Sequence, residues 1–240
     1  MTARVWLTFC AGLALTACHS EATPAPSTAS AAHVVAPAPA ADGIVREVSG
    51  DGPAVILLHG YGAQGNDLVP FARELGGAHF YLPEAPFTRA GGGRRWFGRQ
   101  SEGASTDEID EARGRVIALI DRLEAEGRPA REIILGGFSQ GAMLTVEVAQ
   151  HLAAEGRQLG GLMVLSGSTM PQWPEDFAVR TNVLITHGET DSVLAFAQAE
   201  ELRRRLSAAG SDVEWVPFPA GHYLHPTARV AAAEFIRRSE

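Results

Sequence analysis

Apolar positions in this chain fall into short continuous runs separated by longer amphipathic stretches. Residues 78–82, 133–138, 161–165, 183–186 and 213–218 are mostly apolar runs with little polar alternation. Such runs mark strands buried on both faces, as in a parallel sheet covered by helices. Two further runs, 44–48 and 54–58, flank Ser49-Gly50-Asp51-Gly52-Pro53 and predict an antiparallel hairpin at a sheet edge. The stretches between runs read as helices with recognisable ends. Ser105 followed three residues later by Glu108 has capping-box spacing ahead of a helix over 109–126, and Gly127, Gly156 and Gly210 are predicted stops. The alternation of strand and helix predicts an α/β fold with a mostly parallel sheet and helices on both faces.

The first forty residues follow a different pattern. Met1 and Arg4 precede an apolar stretch over 5–15 that ends in Leu15-Thr16-Ala17-Cys18, a secretory signal pattern. As a helix that stretch would rise about 16 Å, roughly half of a bilayer's hydrocarbon core, so removal is expected rather than a membrane span. Residues 1–17 are thus predicted to be a signal peptide. The last four residues resemble the lipobox of bacterial lipoproteins, which implies lipidation of Cys18. His19 stands where the inner-membrane retention signal of such proteins has aspartate, which favours the outer membrane and an exported catalytic domain. Residues 18–42 are rich in Ala, Pro, Ser and Thr and poor in large apolar side chains. They predict a tether that in polyproline II form reaches roughly 70 Å. The remaining 43–240 then form one catalytic domain.

Composition narrows the chemistry. The 240 residues carry a net charge of −8, which argues against nucleic-acid binding. All twenty basic residues are arginine, so Schiff-base lysines and Ser-Lys dyads are excluded. The two cysteines, Cys10 and Cys18, both precede the domain, leaving it without a disulfide, a Cys-ligated zinc or a catalytic thiol. Neither a metal nor a cofactor is implied.

Gly137-Phe138-Ser139-Gln140-Gly141 matches G-x-S-x-G between an apolar run and the helical stretch 142–154. In that context the serine sits on a sharp strand-to-helix turn with its hydroxyl exposed. Serine at its own pKa is a poor nucleophile and needs a base, itself oriented by a carboxylate. Asp191 follows the run 183–186 and His222 the run 213–218, giving the order Ser, Asp, His of α/β-hydrolases. Glu189 and His225 are the competing acid and base. His187, His79 and His151 read as structural or solvated.

On these residues, with His59-Gly60-Tyr61-Gly62, Asn66-Asp67, Pro83-Glu84-Ala85-Pro86 and Arg95-Trp96-Phe97, the chain resembles the phospholipase/carboxylesterase family of bacterial carboxylesterases and acyl-protein thioesterases. The resemblance covers residues 54 to about 235. It implies an α/β-hydrolase fold and oxyanion donation from the backbone amides of Tyr61 and Gln140, where the family usually has leucine in place of Tyr61. It implies a small-molecule ester or thioester substrate. It also sets Trp96, Phe97, Met170 and Trp173 on loops around the acyl site, where rim or core packing is the alternative role; Arg94, Arg95 and Arg99 flank the same loop and read as a solvated face or, alternatively, as contacts for a carboxylate or phosphate on the substrate. No stretch between Phe138 and Asp191 is long enough for a cap domain, which predicts an open site for short to medium acyl chains. The competing readings are a feruloyl, aryl or polyester esterase of the same fold, and a non-catalytic binding lipoprotein.

Overall fold

The computed structural model describes residues 45–99 and 105–239. The expected signal peptide, Cys18 and the whole of the expected tether lie outside the described residues. Among the described residues no helix is long and apolar enough to cross a membrane.

Seven strands form one sheet: β1 (Val45–Val48), β2 (Ala54–Leu58), β3 (His79–Pro83), β6 (Ile133–Phe138), β7 (Gly161–Leu165), β8 (Asn182–Gly188) and β9 (Asp212–Phe218), in the order β1-β3-β2-β6-β7-β8-β9. Two short strands, β4 (Phe87–Thr88) and β5 (Arg94–Arg95), make a separate antiparallel ribbon. All pairs in the main sheet are parallel except β1 with β3. The architecture is the α/β-hydrolase fold without a large cap.

Alternation along the strands feeds two cores. Ile56 and Leu58 of β2 pack with α2 (Thr106–Ala125), α3 (Gln140–Ala154) and α4 (Phe196–Ala209), whereas Val55 and Leu57 pack with α1 (Val69–Leu75) and α5 (Pro226–Arg238). Both faces of the sheet are therefore covered, as continuous apolar runs require. The predicted strands and helix stops are present, and Gly127, Gly156 and Gly210 all have φ between 78° and 97°.

Two local expectations need correction. The runs 44–48 and 54–58 do not form a hairpin, because β1 pairs with β3 and β2 lies between β3 and β6. The reason is burial: every residue of β2 is buried and needs a partner on each edge, while β1 carries Arg46 and the exposed Glu47 and suits the rim. The capping box also fails in half. Ser105 caps α2 by accepting from the Asp107 amide, but Glu108 does not reach back. Its two oxygens take the fork of Arg95 at 2.7 and 2.8 Å, and one of them also takes the amide of Gly98 at 2.7 Å. A bidentate arginine outcompetes a single amide at the helix start.

Candidate active site

Successive strands run outward in opposite directions from the β2–β6 pair, the point where open α/β sheets leave a crevice at their carboxyl ends. Leu58 pairs with Gly137 there, so the turns beginning at His59 and Ser139 leave the sheet side by side. Ser139 has φ 56° and ψ −118°, a conformation that L side chains rarely adopt and that costs on the order of 1–3 kcal/mol. Close packing enforces it. A Cβ on Gly141 would stand 2.2 Å from the Leu58 carbonyl oxygen, and one on Gly137 would stand 2.4 Å from the Gly141 backbone, so neither neighbour tolerates a side chain. The Ser139 amide donates to the Leu165 carbonyl at 2.9 Å, and its side chain is left pointing away from the sheet.

His222 arrives from the loop after β9, three strand spacings or about 14 Å across the sheet from β6. Its Nε2 lies 2.8 Å from Ser139 Oγ and its Nδ1 lies 2.6 Å from Asp191 Oδ2, while Phe138 packs against its ring. The Asp191 side chain is fully buried, and its Oδ1 accepts from the amides of Val193 and Leu194 at 2.8 and 2.9 Å. Burial alone would raise its pKa, but those amides and His222 outweigh burial and hold the carboxyl below the ordinary 3.8. An ionised Asp191 accepts only, so His222 carries its proton on Nδ1 and turns the Nε2 lone pair to the serine hydroxyl. Beside this pair, His187 is fully buried, donates from Nε2 to the Leu194 carbonyl at 2.9 Å and stands 3.4 Å from Asp191 Oδ2. It thereby ties down the loop that presents Asp191.

The turn after β2 abuts the serine. A Cβ on Gly60 would lie 3.4 Å from Ser139 Cβ, which sets the Tyr61 segment beside the nucleophile. His59 braces this turn from below and has no exposed surface. Its Nε2 accepts from the Ala85 amide at 3.1 Å, so Nδ1 carries the proton and donates to the Gly60 carbonyl at 2.8 Å. Burial pushes its pKa below the ordinary 6.5. Gln140 opens α3, whose first amides point out of the helix without intrahelical acceptors. Its side chain clamps the neighbouring strap, accepting from the Trp96 amide at 2.8 Å and donating to the Phe97 carbonyl at 2.7 Å.

The aromatic and methionine side chains expected around the acyl site are all buried. Trp96 has no exposed surface and donates its indole N–H to the His59 carbonyl. Phe97, Met170 and Trp173 are likewise buried in the core cluster on the α2–α3–α4 side, with Trp173 donating to Glu147 on α3. Glu189 is exposed and is not the acid beside His222. His225 caps α5 and stacks on Phe218, His79 pairs with Glu47, and His151 pairs with Glu155. Among the described residues no three His, Cys, Asp or Glu side chains converge as a metal site would require. His187 has the structural role read from the sequence, whereas the bracing role of His59 was missed because the amide it accepts from, Ala85, lies 26 residues on.

A family model described as Phospholipase/Carboxylesterase matches residues 42–240. Carboxylesterase SOBER1 of Arabidopsis thaliana is 32% identical over 193 residues, covering 71% of this chain and 83% of that protein. Acyl-protein thioesterase 1 homolog 1 of Dictyostelium discoideum is 28% identical over 216 residues, covering 82% and 94%. Among solved structures, esterase PE8 superposes with a TM-score of 0.71 at 25% identity, covering 81% of this chain and 98% of that one.

Proposed function

The chain belongs to the phospholipase/carboxylesterase family and is a serine-esterase type of hydrolase; from its site we propose that it cleaves short to medium acyl esters or thioesters through an acyl-enzyme on Ser139. The observation that carries this reading is the continuous hydrogen-bonded chain from Asp191 through His222 to a serine on a strained elbow. Ser139 Oγ attacks the carbonyl carbon as its proton passes to His222 Nε2. The tetrahedral oxyanion is held by the amides of Tyr61 and Gln140, each such donor being worth about 2.7–4 kcal/mol. Collapse expels the alcohol or thiol, which takes the proton back from Nε2. Water then repeats the sequence on the acyl-serine, releasing the carboxylic acid and restoring the hydroxyl. Relatives named as a carboxylesterase and as an acyl-protein thioesterase support both leaving groups.

Labelling of the purified protein with a fluorophosphonate, beside Ser139→Ala, tests the nucleophile. Labelling of wild type alone is expected, followed by hydrolysis of p-nitrophenyl esters with an optimum at short to medium chains. A folded wild type that neither labels nor hydrolyses would overturn the proposal. The N-terminal pattern ending at Cys18 supports the further reading that the enzyme is exported and lipid-anchored, facing the periplasm or carried on the outer membrane. Incorporation of a palmitate analogue that is lost in Cys18→Ser checks that reading.

A further inference from the structure

Trp96, Phe97, Met170 and Trp173 are buried, and the apolar surface that the site leaves exposed has a different origin. Among the described residues three large apolar side chains are exposed: Val193 at 61%, Val230 at 55% and Tyr223 at 50%. Single exposed apolar residues are ordinary on a protein surface. Two of these three, however, border the catalytic pair. Val193 follows Asp191 by two residues and its amide donates to Asp191 Oδ1, whereas Tyr223 directly follows His222. Val230 lies on α5.

Both side chains are held in place. The amides of Val193 and Leu194 end on Asp191 Oδ1 at 2.8 and 2.9 Å, which fixes the backbone under a β-branched side chain with few rotamers. Tyr223 is the outer member of an aromatic column. Its ring lies 5.6 Å from that of His225, which stacks on the buried Phe218 at 4.8 Å with the planes 6° apart. The amide of Tyr223 donates to the Gly221 carbonyl at 3.2 Å, closing the turn that presents His222. Apolar groups fixed before binding lose little conformational freedom when a ligand covers them. Neither of the two loops, 189–195 and 219–225, contains an arginine, and Glu189 is their one acidic side chain besides Asp191. An anionic group therefore finds no permanent cation among their side chains.

The chemistry at His222 decides which part of the substrate meets this surface. Its Nε2, 2.8 Å from Ser139 Oγ, takes the serine proton and returns it to the departing alcohol or thiol. The leaving oxygen or sulfur must come within hydrogen-bond reach of that nitrogen, so the group attached to it extends over the loops that carry His222 and Asp191. We infer that Val193 and Tyr223 form an apolar rim on the leaving-group side of Ser139, so that the preferred esters or thioesters carry a neutral alkyl or aryl group on their alcohol or thiol portion. This deepens the serine-esterase reading and rests on it.

Two ester pairs separate the sides of the site. Phenyl acetate against 4-tert-butylphenyl acetate changes only the leaving group, with phenols of similar acidity, and p-nitrophenyl acetate against its butyrate changes only the acyl chain. The quantity to follow is the ratio of kcat/KM within each pair. Val193→Ser and Tyr223→Ser should each lower the tert-butylphenyl over phenyl ratio roughly fourfold, the worth of one buried methylene, and leave the butyrate over acetate ratio unchanged. Tyr223→Phe keeps the ring and should retain the wild-type ratio, as should Val230→Ser. All three positions are exposed, so the variants should fold as wild type does. An unchanged leaving-group ratio in the double serine variant overturns the inference, and so does a fall in Tyr223→Phe equal to that in Tyr223→Ser. A larger fall in the butyrate ratio would place the two residues on the acyl side and overturn it as well. If wild type hydrolyses neither pair, the esterase reading fails separately, and the rim is then read by NMR titration with 4-tert-butylphenol. Binding to wild type that is weakened in the double variant supports the rim; equal binding or none overturns it.

Discussion

Acidifying the protein from pH 7.5 to 5.5 should destabilise it through two histidines that serve as braces. His59 and His187 are both fully buried, and burial lowers the pKa of each below the ordinary 6.5. In the unfolded chain they recover a pKa of about 6.5. Below that value the unfolded state binds protons that the folded state does not, so stability falls as pH falls. At pH 5.5 an unfolded histidine is about nine-tenths protonated, so a folded ring that stays neutral there costs at most about 1.4 kcal/mol, or about 2.7 kcal/mol for the pair. Against a typical total of about 5–15 kcal/mol this ceiling is a visible fraction, and at 2–4 °C per kcal/mol for a domain of this size it lowers Tm by up to about 10 °C. Glu84 Oε2, 4.0 Å from His59 Nε2, and Asp191 Oδ2, 3.4 Å from His187 Nε2, favour the proton, but burial outweighs them. His59 uses Nε2 as an acceptor for Ala85, and protonating it breaks that bond. His187 Nδ1 is buried without a partner, and a proton there would be an unsatisfied charge. Asp191 does not share this window, since its carboxyl is held below 3.8 and its contribution is lost only in stronger acid. Calorimetric melts across the range give the Tm shift, and ring-proton NMR assigns it. Titration midpoints below 6.5 are expected for both His59 and His187. Full titration of either with a midpoint at 6.5 or above would refute the reasoning.

Replacing Gln140 with leucine should cost about 2–5 kcal/mol in urea denaturation, because the buried Trp96 amide and Phe97 carbonyl each lose their partner at about 1–3 kcal/mol. The proposed oxyanion donor at that position is a backbone amide, so the folded fraction should still hydrolyse p-nitrophenyl esters, with kcat lowered about tenfold or more because the grip on the two turns is loosened. Asp191→Asn should lower kcat by about 10⁴-fold with a much smaller change in KM, since an amide in that place favours the wrong tautomer of His222. Steady-state kinetics above pH 7 would read it, and a loss below tenfold would remove Asp191 from the orienting role.

Much of the fold was legible because each strand of the parallel sheet is a continuous apolar run, and a pattern of that kind needs no knowledge of partners. What was not legible depended on pairing across the chain. Whether 44–48 folds onto 54–58 or onto 79–83 cannot be read from either run alone, although the unbroken burial of Ala54 to Leu58 marks it for a central place. Glu108 has the spacing of a capping residue, and only the arrival of Arg95 from the ribbon diverts it. The positions of Ser139, Asp191 and His222 were legible as loop residues after successive strands, since a parallel sheet delivers every such loop to one edge. Trp96 shows the opposite case. Its place in a loop suggested a surface facing substrate, and its indole instead reaches under the His59 carbonyl.

These misplacements share a cause that bears on how the site is held. An oxyanion hole made of backbone amides cannot be tuned by exchanging side chains, so its geometry must come from whatever grips the two turns. Here the grip is reciprocal. Trp96 donates to the carbonyl of His59, His59 donates to Gly60, and Gln140 takes the Trp96 amide and the Phe97 carbonyl, closing a loop of bonds around the two turns. All of these groups are buried, so any one bond broken leaves a polar atom without water to replace it. The cost of losing a single member therefore spreads to both turns at once. A conservative change such as Trp96→Phe, which keeps the packing and removes only the indole N–H, should disturb the spacing between Tyr61 and Gln140 more than it disturbs the core. Its expected signature is a drop in kcat of about tenfold with a Tm loss no larger than one unsatisfied carbonyl implies, about 1–3 kcal/mol, and equal kcat in both proteins would show that the two turns are held independently.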